Sequence, residues 1–222
     1  ESMWVDSLMM YNLFAAQYGT LTQDPQLVEF AAEQPLHFAR KLQSPATGLW
    51  KHAYYPFFKG TLPADDTSWL RGNGWALASI PETLDVLGGA RRAPSELKDR
   101  YSRHAAALLP YQDATGLWST VLNRPGKTYL ESSGTALMAW GMLKGVHGGY
   151  LPESFRAPAR QAYQALLGRL EQTPEGPSMP EISHNTLPYT FLGYKLVPQR
   201  NDLAFGLAAM IMAGVEFEQE TR

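Results

Sequence analysis

Trp4-Val5-Asp6-Ser7 returns along the chain as Trp69-Leu70-Arg71-Gly72 and again as Tyr129-Leu130-Glu131-Ser132. Each copy reads aromatic, aliphatic, charged, small, and each opens an apolar run rich in Ala, Leu and Met. A spacing of 60 to 65 residues suits one helix pair with its connections. Periodicity of this kind marks a repeat architecture and takes precedence over any other fold assignment. A second marker keeps phase with the first: Thr47-Gly48-Leu49-Trp50 recurs as Thr115-Gly116-Leu117-Trp118. Both copies fall between the same two kinds of segment, so they read as equivalent connections. The charged residue of each tetrapeptide then stands at the entrance to a buried helix.

Two kinds of helix alternate around these markers. Segments near 7–18, 74–87, 134–146 and 203–217 are apolar on most faces and carry many small residues, among them Ala76, Ala136, Gly141 and Gly206. Helices apolar all round are buried between other helices. Segments near 26–43, 95–110 and 156–171 carry one-sided stripes instead, such as Leu97, Tyr101, Ala105 and Leu108, as outer helices do. Helix starts are expected at Asp24 before Pro25, at Ser95, at Ser132 or Ser133, and at Asn201 or Asp202. Pro35 and Pro81 fall inside helical patterns and should kink or break them. Loops at 44–67, 112–130 and 172–200 are rich in Gly, Pro, Thr and aromatics, with a short strand expected between Trp50 and Tyr55.

Inner and outer helices alternating at this period describe an all-α fold, an α/α toroid, in which helical hairpins form a ring. No interdomain linker is visible, so residues 1–222 read as one domain. Four inner and three outer helices, about seven, are the count of an incomplete, C-terminal portion of a six-hairpin ring. In such a portion the inner faces around Leu8, Met9, Leu77, Leu137, Met138, Phe205 and Met210 are expected to be partly uncovered. Helix entrances gathered at one face, carrying Asp, Arg and Glu beside aromatics, are what a carbohydrate site needs.

Composition narrows the partners. The 222 residues carry 19 basic and 21 acidic side chains, a net charge of -2 with no basic stripe, which argues against nucleic acid. The longest apolar run, Leu203 to Val215, is shorter than the ~20 residues that span a bilayer. Six tryptophans and 12% aromatic residues exceed what packing alone requires. With no cysteine, disulfides and thiolate metal sites are excluded, which fits a reducing cytoplasm, the expected location. His37, His104 and His147 have no companions in sequence, so no metal is expected. Oligomeric state is left open.

Met3-Trp4-Val5-Asp6-Ser7-Leu8-Met9-Met10, then Trp50-Lys51-His52, then Trp69-Leu70-Arg71-Gly72-Asn73-Gly74-Trp75 resembles glycoside hydrolase family 105. These are the unsaturated rhamnogalacturonyl hydrolases, relatives of the unsaturated glucuronyl hydrolases of family 88. The resemblance covers the whole chain and aligns with the C-terminal three-fifths of the family, so the N-terminal part of the family domain is expected to be missing. It implies a six-hairpin toroid and an unusual glycosidase reaction. The C4=C5 double bond of a terminal unsaturated uronate is hydrated, and the hemiketal collapses to release the sugar beneath, with no metal or organic cofactor. Asp6 matches the general acid/base. Trp4, His52, Arg71, Gly72, Asn73 and Trp75 match substrate-binding positions. Arg71 is expected to grip the uronate carboxylate bidentately, and Trp75 to stack on sugar C–H groups. A carboxylic acid in the Asp6 role must hold its proton near neutral pH, for which burial beside Trp4 is the expected means.

Blander roles stand beside these. Asp6 could be a helix N-cap, Arg71 a structural ion-pair partner, and Trp4, Trp69 and Trp75 core aromatics. Asp65, Asp66 and Asp113 read as turn or cap residues. Glu131 could line the pocket, or pair with Asp6 as the second carboxylate of an inverting glycosidase. His184 and Asn185 lie on a late loop with no assigned role. Two other functions remain open: a family 88 glucuronyl hydrolase, and a truncated non-catalytic remnant that only binds sugar.

Overall fold

The computed structural model describes residues 2–89 and 94–219. The four apolar segments form a row of inner helices. A π-helical turn, Leu8–Asn12, runs into α1 (Leu13–Thr22). The row continues with α3 (Leu70–Val86), α5 (Ser132–His147) and α8 (Ala204–Gln219), each packed on the next. The striped segments become outer helices: α2 (Pro25–Leu42), α4 (Ser95–Leu108) and α6 (Arg156–Leu167). α2 lies on α1, α4 bridges α2 and α3, and α6 covers α5 and α8. This alternation is the α/α toroid arrangement expected from the repeat. A further short helix, α7 (Phe191–Lys195), lies in the last loop and carries no repeat signal.

α3 and α5 are buried on nearly every face because small residues let them approach. A Cβ added at Gly141 would lie 2.7 Å from the Leu77 carbonyl, and one at Gly74 would lie 2.6 Å from Leu137 Cβ. The glycines of Gly72-Asn73-Gly74 therefore serve close packing inside the first turns of α3, which begins at Leu70, earlier than the expected 74. Pro35 and Pro81 do not end their helices: α2 and α3 run on through them. Both prolines are buried, and packing against neighbours outweighs one missing backbone bond.

The expected uncovered faces are largely covered. Leu8, Leu77, Leu137, Met138 and Met210 are buried, and Met9 and Phe205 partly so, since they point along the row toward neighbouring helices. Exposed apolar side chains do stand at the two ends of the row: Tyr11 on the π-helical turn with Phe14, Tyr18 and Leu21 on α1, and Ile211 and Val215 on α8. Helix starts follow the same mixture of success and correction. Asp24 caps α2, accepting from the Gln26 and Leu27 N–H groups. α4 starts at Ser95 itself, and the cap of α5 is Glu131, not Ser132 or Ser133. Asp202 accepts from Met179 N and Ser178 Oγ, tying the last loop together.

The repeated Thr-Gly-Leu-Trp stretches are equivalent connections. Gly48 (φ +81°) and Gly116 (φ +97°) both turn against an outer helix, with Arg103 and Gln161 carbonyls where a Cβ would go. Gln43 donates to the Gly48 and Arg100 carbonyls, and Gln112 donates to those of Gly116 and Pro158. The strand expected after Trp50 is β2 (Ala53–Tyr55), between β1 (Met3–Trp4) and β3 (Gly60–Leu62) in an antiparallel sheet. Trp4 pairs with Ala53, and Val5 N–H donates to the His52 carbonyl at 2.9 Å. That register sets Asp6 beside His52. Farther on, β4 (Glu171–Thr173) pairs with β5 (Gly176–Ser178), and β6 (Ile182–Ser183) with β7 (Gln199–Arg200).

Candidate active site

At the entrance to α1 the chain leaves β1 and turns into the π-helix. The Asp6 carbonyl accepts from the Met9 and Met10 N–H groups, each at 3.0 Å, while no N-terminal side-chain cap bond is made at this helix. The blander N-cap role is thus not taken by the Asp6 carboxylate. Oδ2 is buried and stands 3.4 Å from His52 Nε2, and the side chain as a whole is 27% exposed. It is less enclosed than expected, because it borders a cavity of about 210 Å³. Met10, Trp69, Trp75 and Phe205 wall that cavity, with Asp6, Arg71, Asn185 and Thr186 as its polar lining. A larger cleft of about 780 Å³, around Glu33, His37 and Arg40, shares none of these residues.

His52 is buried behind Asp6. Its ring stacks on Trp69 with centroids 4.1 Å apart, and the Trp4 ring meets it edge-on at 5.2 Å. Nδ1 lies 2.8 Å from the Tyr194 hydroxyl. Burial lowers the His52 pKa below its ordinary value, with the Arg71 charge acting the same way and Asp6 opposing both. The imidazole is accordingly neutral. Trp4 reaches the site through His52 and is not part of the cavity wall.

The Arg71 fork, expected to grip a carboxylate, is engaged here by the protein itself. Its guanidinium is sandwiched between the Trp69 and Phe205 rings, 4.8 and 4.6 Å from the centroids. Nη1 donates to the Ser183 carbonyl at 2.7 Å and to Ser133 Oγ at 3.4 Å. Nη2 donates to the His184 carbonyl at 2.9 Å and to Thr186 Oγ1 at 2.6 Å. Four terminal N–H groups are thereby committed, so no fork is free for a carboxylate while segment 183–186 is in place. Arg71 gives the cavity positive charge and pins that segment over it. Glu131 answers from beneath, 3.9 Å from Nη1.

Three further residues are structural. Asn73 Oδ1 accepts from Trp50 N–H at 2.8 Å and lies 3.1 Å from His104 Nε2. Asn73 Nδ2 donates to the Trp50 and Trp69 carbonyls. The whole amide is used in locking the His52 segment to the start of α3, and Asn73 is not among the residues that line the cavity. Gly72 packs against Trp69 and Val5, where a Cβ would meet Trp69 at 2.8 Å, and it too lies off the cavity. Glu131 accepts from Ser133 N–H, Ser133 Oγ, Gly134 N–H and Ser183 N–H. It is a buried cap and counter-charge, outside the cavity lining and unavailable as a second catalytic carboxylate. Among the described residues no group of His, Asp or Glu side chains is arranged to hold a metal.

Of the expected residues, the fold brings Asp6, His52, Arg71 and Trp75 together, with Trp4 at the edge. Tyr194, Thr186 and Phe205 had no signal pointing to the site. Tyr194 lies 142 positions from His52 in a loop outside the repeat, and only the packed structure joins them.

Alternating inner and outer helices, with an acidic side chain in an aromatic-walled pocket at their entrances, define a protein of the α/α toroid type. The chain belongs to Glycosyl Hydrolase Family 88, whose model matches residues 1–221. It is 30% identical over 151 residues to an unsaturated 3S-rhamnoglycuronyl hydrolase of Alteromonas sp. (strain LOR), an alignment covering 68% of this chain and 37% of that protein. It is 27% identical over 218 residues to the unsaturated rhamnogalacturonyl hydrolase YesR of Bacillus subtilis (strain 168), covering 97% of this chain and 60% of that one. A solved structure of a possible GH105 member from Salmonella enterica superimposes with a TM-score of 0.92 at 30% identity, covering 100% of this chain and 58% of that one. The chain thus spans less than two thirds of the length of these relatives.

Proposed function

We propose that the protein carrying this chain removes the terminal 4,5-unsaturated galacturonyl residue from rhamnogalacturonan oligosaccharides by hydrating the C4=C5 bond. The observation that carries the reading is the Asp6 carboxylate, free of any capping bond and facing the aromatic cavity beside a buried neutral histidine. Two relatives named for unsaturated rhamno-uronyl substrates support the choice of substrate.

In this reading Asp6 gives its proton to C4, and the positive charge that develops is shared by C5 and the ring oxygen. Water then attacks C5 and returns a proton to the carboxylate, so Asp6 acts first as acid and then as base. The hemiketal opens to a ketone at C5, and the hemiacetal left at C1 expels the sugar beneath as an alcohol. One water is consumed in all, and Asp6 ends as it began. Trp75 offers an apolar wall to the sugar ring. Arg71 lends positive charge near the uronate through the cavity wall, without a bidentate fork.

The reaction destroys a conjugated alkene, so ultraviolet absorbance reports it directly. Incubating the full-length natural protein with the unsaturated rhamnogalacturonan disaccharide should bleach that band. Cleavage of saturated rhamnogalacturonan with the unsaturated disaccharide untouched would overturn the assignment.

A further inference from the structure

Behind the Asp6 and His52 pair stands a third group that the chemistry above does not use. Tyr194, on the short helix α7, is fully buried, and its hydroxyl is 2.8 Å from His52 Nδ1. Its ring is stacked in the same pile as the histidine: Tyr194 lies 5.9 Å from Trp69 with planes 10° apart, and Trp69 lies 4.1 Å from His52. Asp6, His52 and Tyr194 therefore form a continuous line from the cavity into the protein. We infer that Tyr194 is a positioning residue for the reaction, fixing His52 in the tautomer that carries its proton on Nε2 and points it at Asp6. This rests on the reading of Asp6 as the acid/base.

The argument runs on donors and acceptors. Tyr194 keeps its hydroxyl proton, because burial and the nearby Asp6 charge raise its pKa above the ordinary value. Its neighbour at 2.8 Å is His52 Nδ1, and in this reading the retained phenolic proton is donated there. A neutral imidazole that accepts at Nδ1 must carry its proton on Nε2, and Nε2 faces Asp6 Oδ2, neither atom having another partner. An N–H held there can donate to the Asp6 side chain and hold it in place beside the cavity. Other ionisable groups facing this line are Arg71 and Asp65, with Glu131 and Tyr129 acting on Arg71. None of these accepts or donates at His52 Nδ1.

The loop carrying Tyr194 is held by the groups that shape the cavity. Arg71 and Glu131 both bind Ser183, and the Tyr129 hydroxyl donates to Ser183 Oγ and reaches the Tyr194 carbonyl. Segment 182–197 thus closes one side of the cavity and supports the histidine with one hydroxyl.

The test uses the full-length natural protein and the unsaturated rhamnogalacturonan disaccharide. Tyr194→Phe keeps the ring stack and removes one hydrogen bond. It should lower kcat about tenfold and leave KM within about twofold. In a His52→Gln background the same change should have almost no further effect, since Tyr194 acts through the histidine. An active parent, an inactive Asp6→Asn and a Tyr194→Phe equal to the parent in kcat would overturn the role of Tyr194 alone. A parent inert on the disaccharide, or an active Asp6→Asn, would overturn the hydrolase reading and this inference with it. Imidazole nitrogen chemical shifts of the parent decide the matter even if Tyr194→Phe fails to fold. A proton on Nε2 supports the inference, and one on Nδ1 or on both nitrogens overturns it.

Discussion

Asp6 and Glu131 occupy the same slot of the repeat, an acidic residue at the mouth of an inner helix, and do opposite things. Glu131 is enclosed, takes four donors and faces Arg71 at 3.9 Å. Asp6 takes no cap donor and faces a cavity. The difference lies in the backbone that follows. After Glu131 the chain is helical at once, so the first free N–H groups, those of Ser133 and Gly134, point back at its carboxylate. After Asp6 a π-helical turn intervenes, and the Asp6 carbonyl takes the Met9 and Met10 N–H groups. π-helical turns cluster at functional sites, and here one leaves a carboxylate without its usual structural duty.

Two substitutions should break the pair apart most widely. Asp6→Asn keeps shape but removes the proton carrier, so turnover should fall by ~10²–10⁴-fold, with the denaturation midpoint almost unchanged. Glu131→Ala should do the reverse where it counts, lowering stability by about 3–5 kcal/mol because Arg71 is left buried without its counter-charge and α5 without its cap. Denaturant titrations of both variants beside the parent check this. Equal losses of stability at the two sites would mean that Asp6 is a cap after all.

How much of this was legible beforehand depends on whether the cause was local. The alternation of inner and outer helices, the Asp24 cap and the paired Thr-Gly-Leu-Trp connections rest on periodicity and turn chemistry, which sequence carries directly. Pro35 and Pro81 misled because tertiary burial outweighs one lost backbone bond. At the site, Asp6 and His52 stood out by their motifs, whereas the fates of Arg71, Asn73 and Glu131 depended on how many partners each had already acquired. That number is set by segments far away in the chain: Asn73 meets His104, and Arg71 meets Ser183 and Thr186. A motif names a residue type at an entrance and says nothing of whether its hydrogen bonds are still free.

The middle entrance, with Arg71, sharpens the comparison through acid. Just behind it, His104 is fully buried against Asn73, and burial lowers its pKa to about 3 from an ordinary 6.5. The unfolded chain therefore binds a proton that the folded one refuses between those values. Stability contributed by the neutral histidine is fully present above pH 6.5 and is lost as pH falls toward 3. From pH 6.5 to 5 the expected loss is about 2 kcal/mol. His104→Gln, whose amide can still donate to Asn73, should flatten that slope in denaturation curves taken across the range. An unchanged slope would show that the acid sensitivity arises elsewhere, with the buried His52 the next group to vary.

The smallest effect should come from a carboxylate that is only a cap. Asp24 accepts from Gln26 N–H at 3.0 Å and Leu27 N–H at 3.2 Å, sits exposed at the start of α2, and precedes a proline that fixes the first helical φ. It shares with Glu131 the capping geometry but lacks its burial and its cationic partner. With Asp6 it shares only the residue type. Asp24→Ala should therefore remove about 1 kcal/mol of stability and leave turnover unaltered, while Asp24→Asn, which keeps the accepting oxygen, should recover nearly all of that loss. Thermal midpoints and the rate of alkene loss, read on the same preparations, separate the two quantities. A drop in stability at Asp24 as large as at Glu131 would show that capping alone, without the buried charge pair, accounts for what Glu131 does.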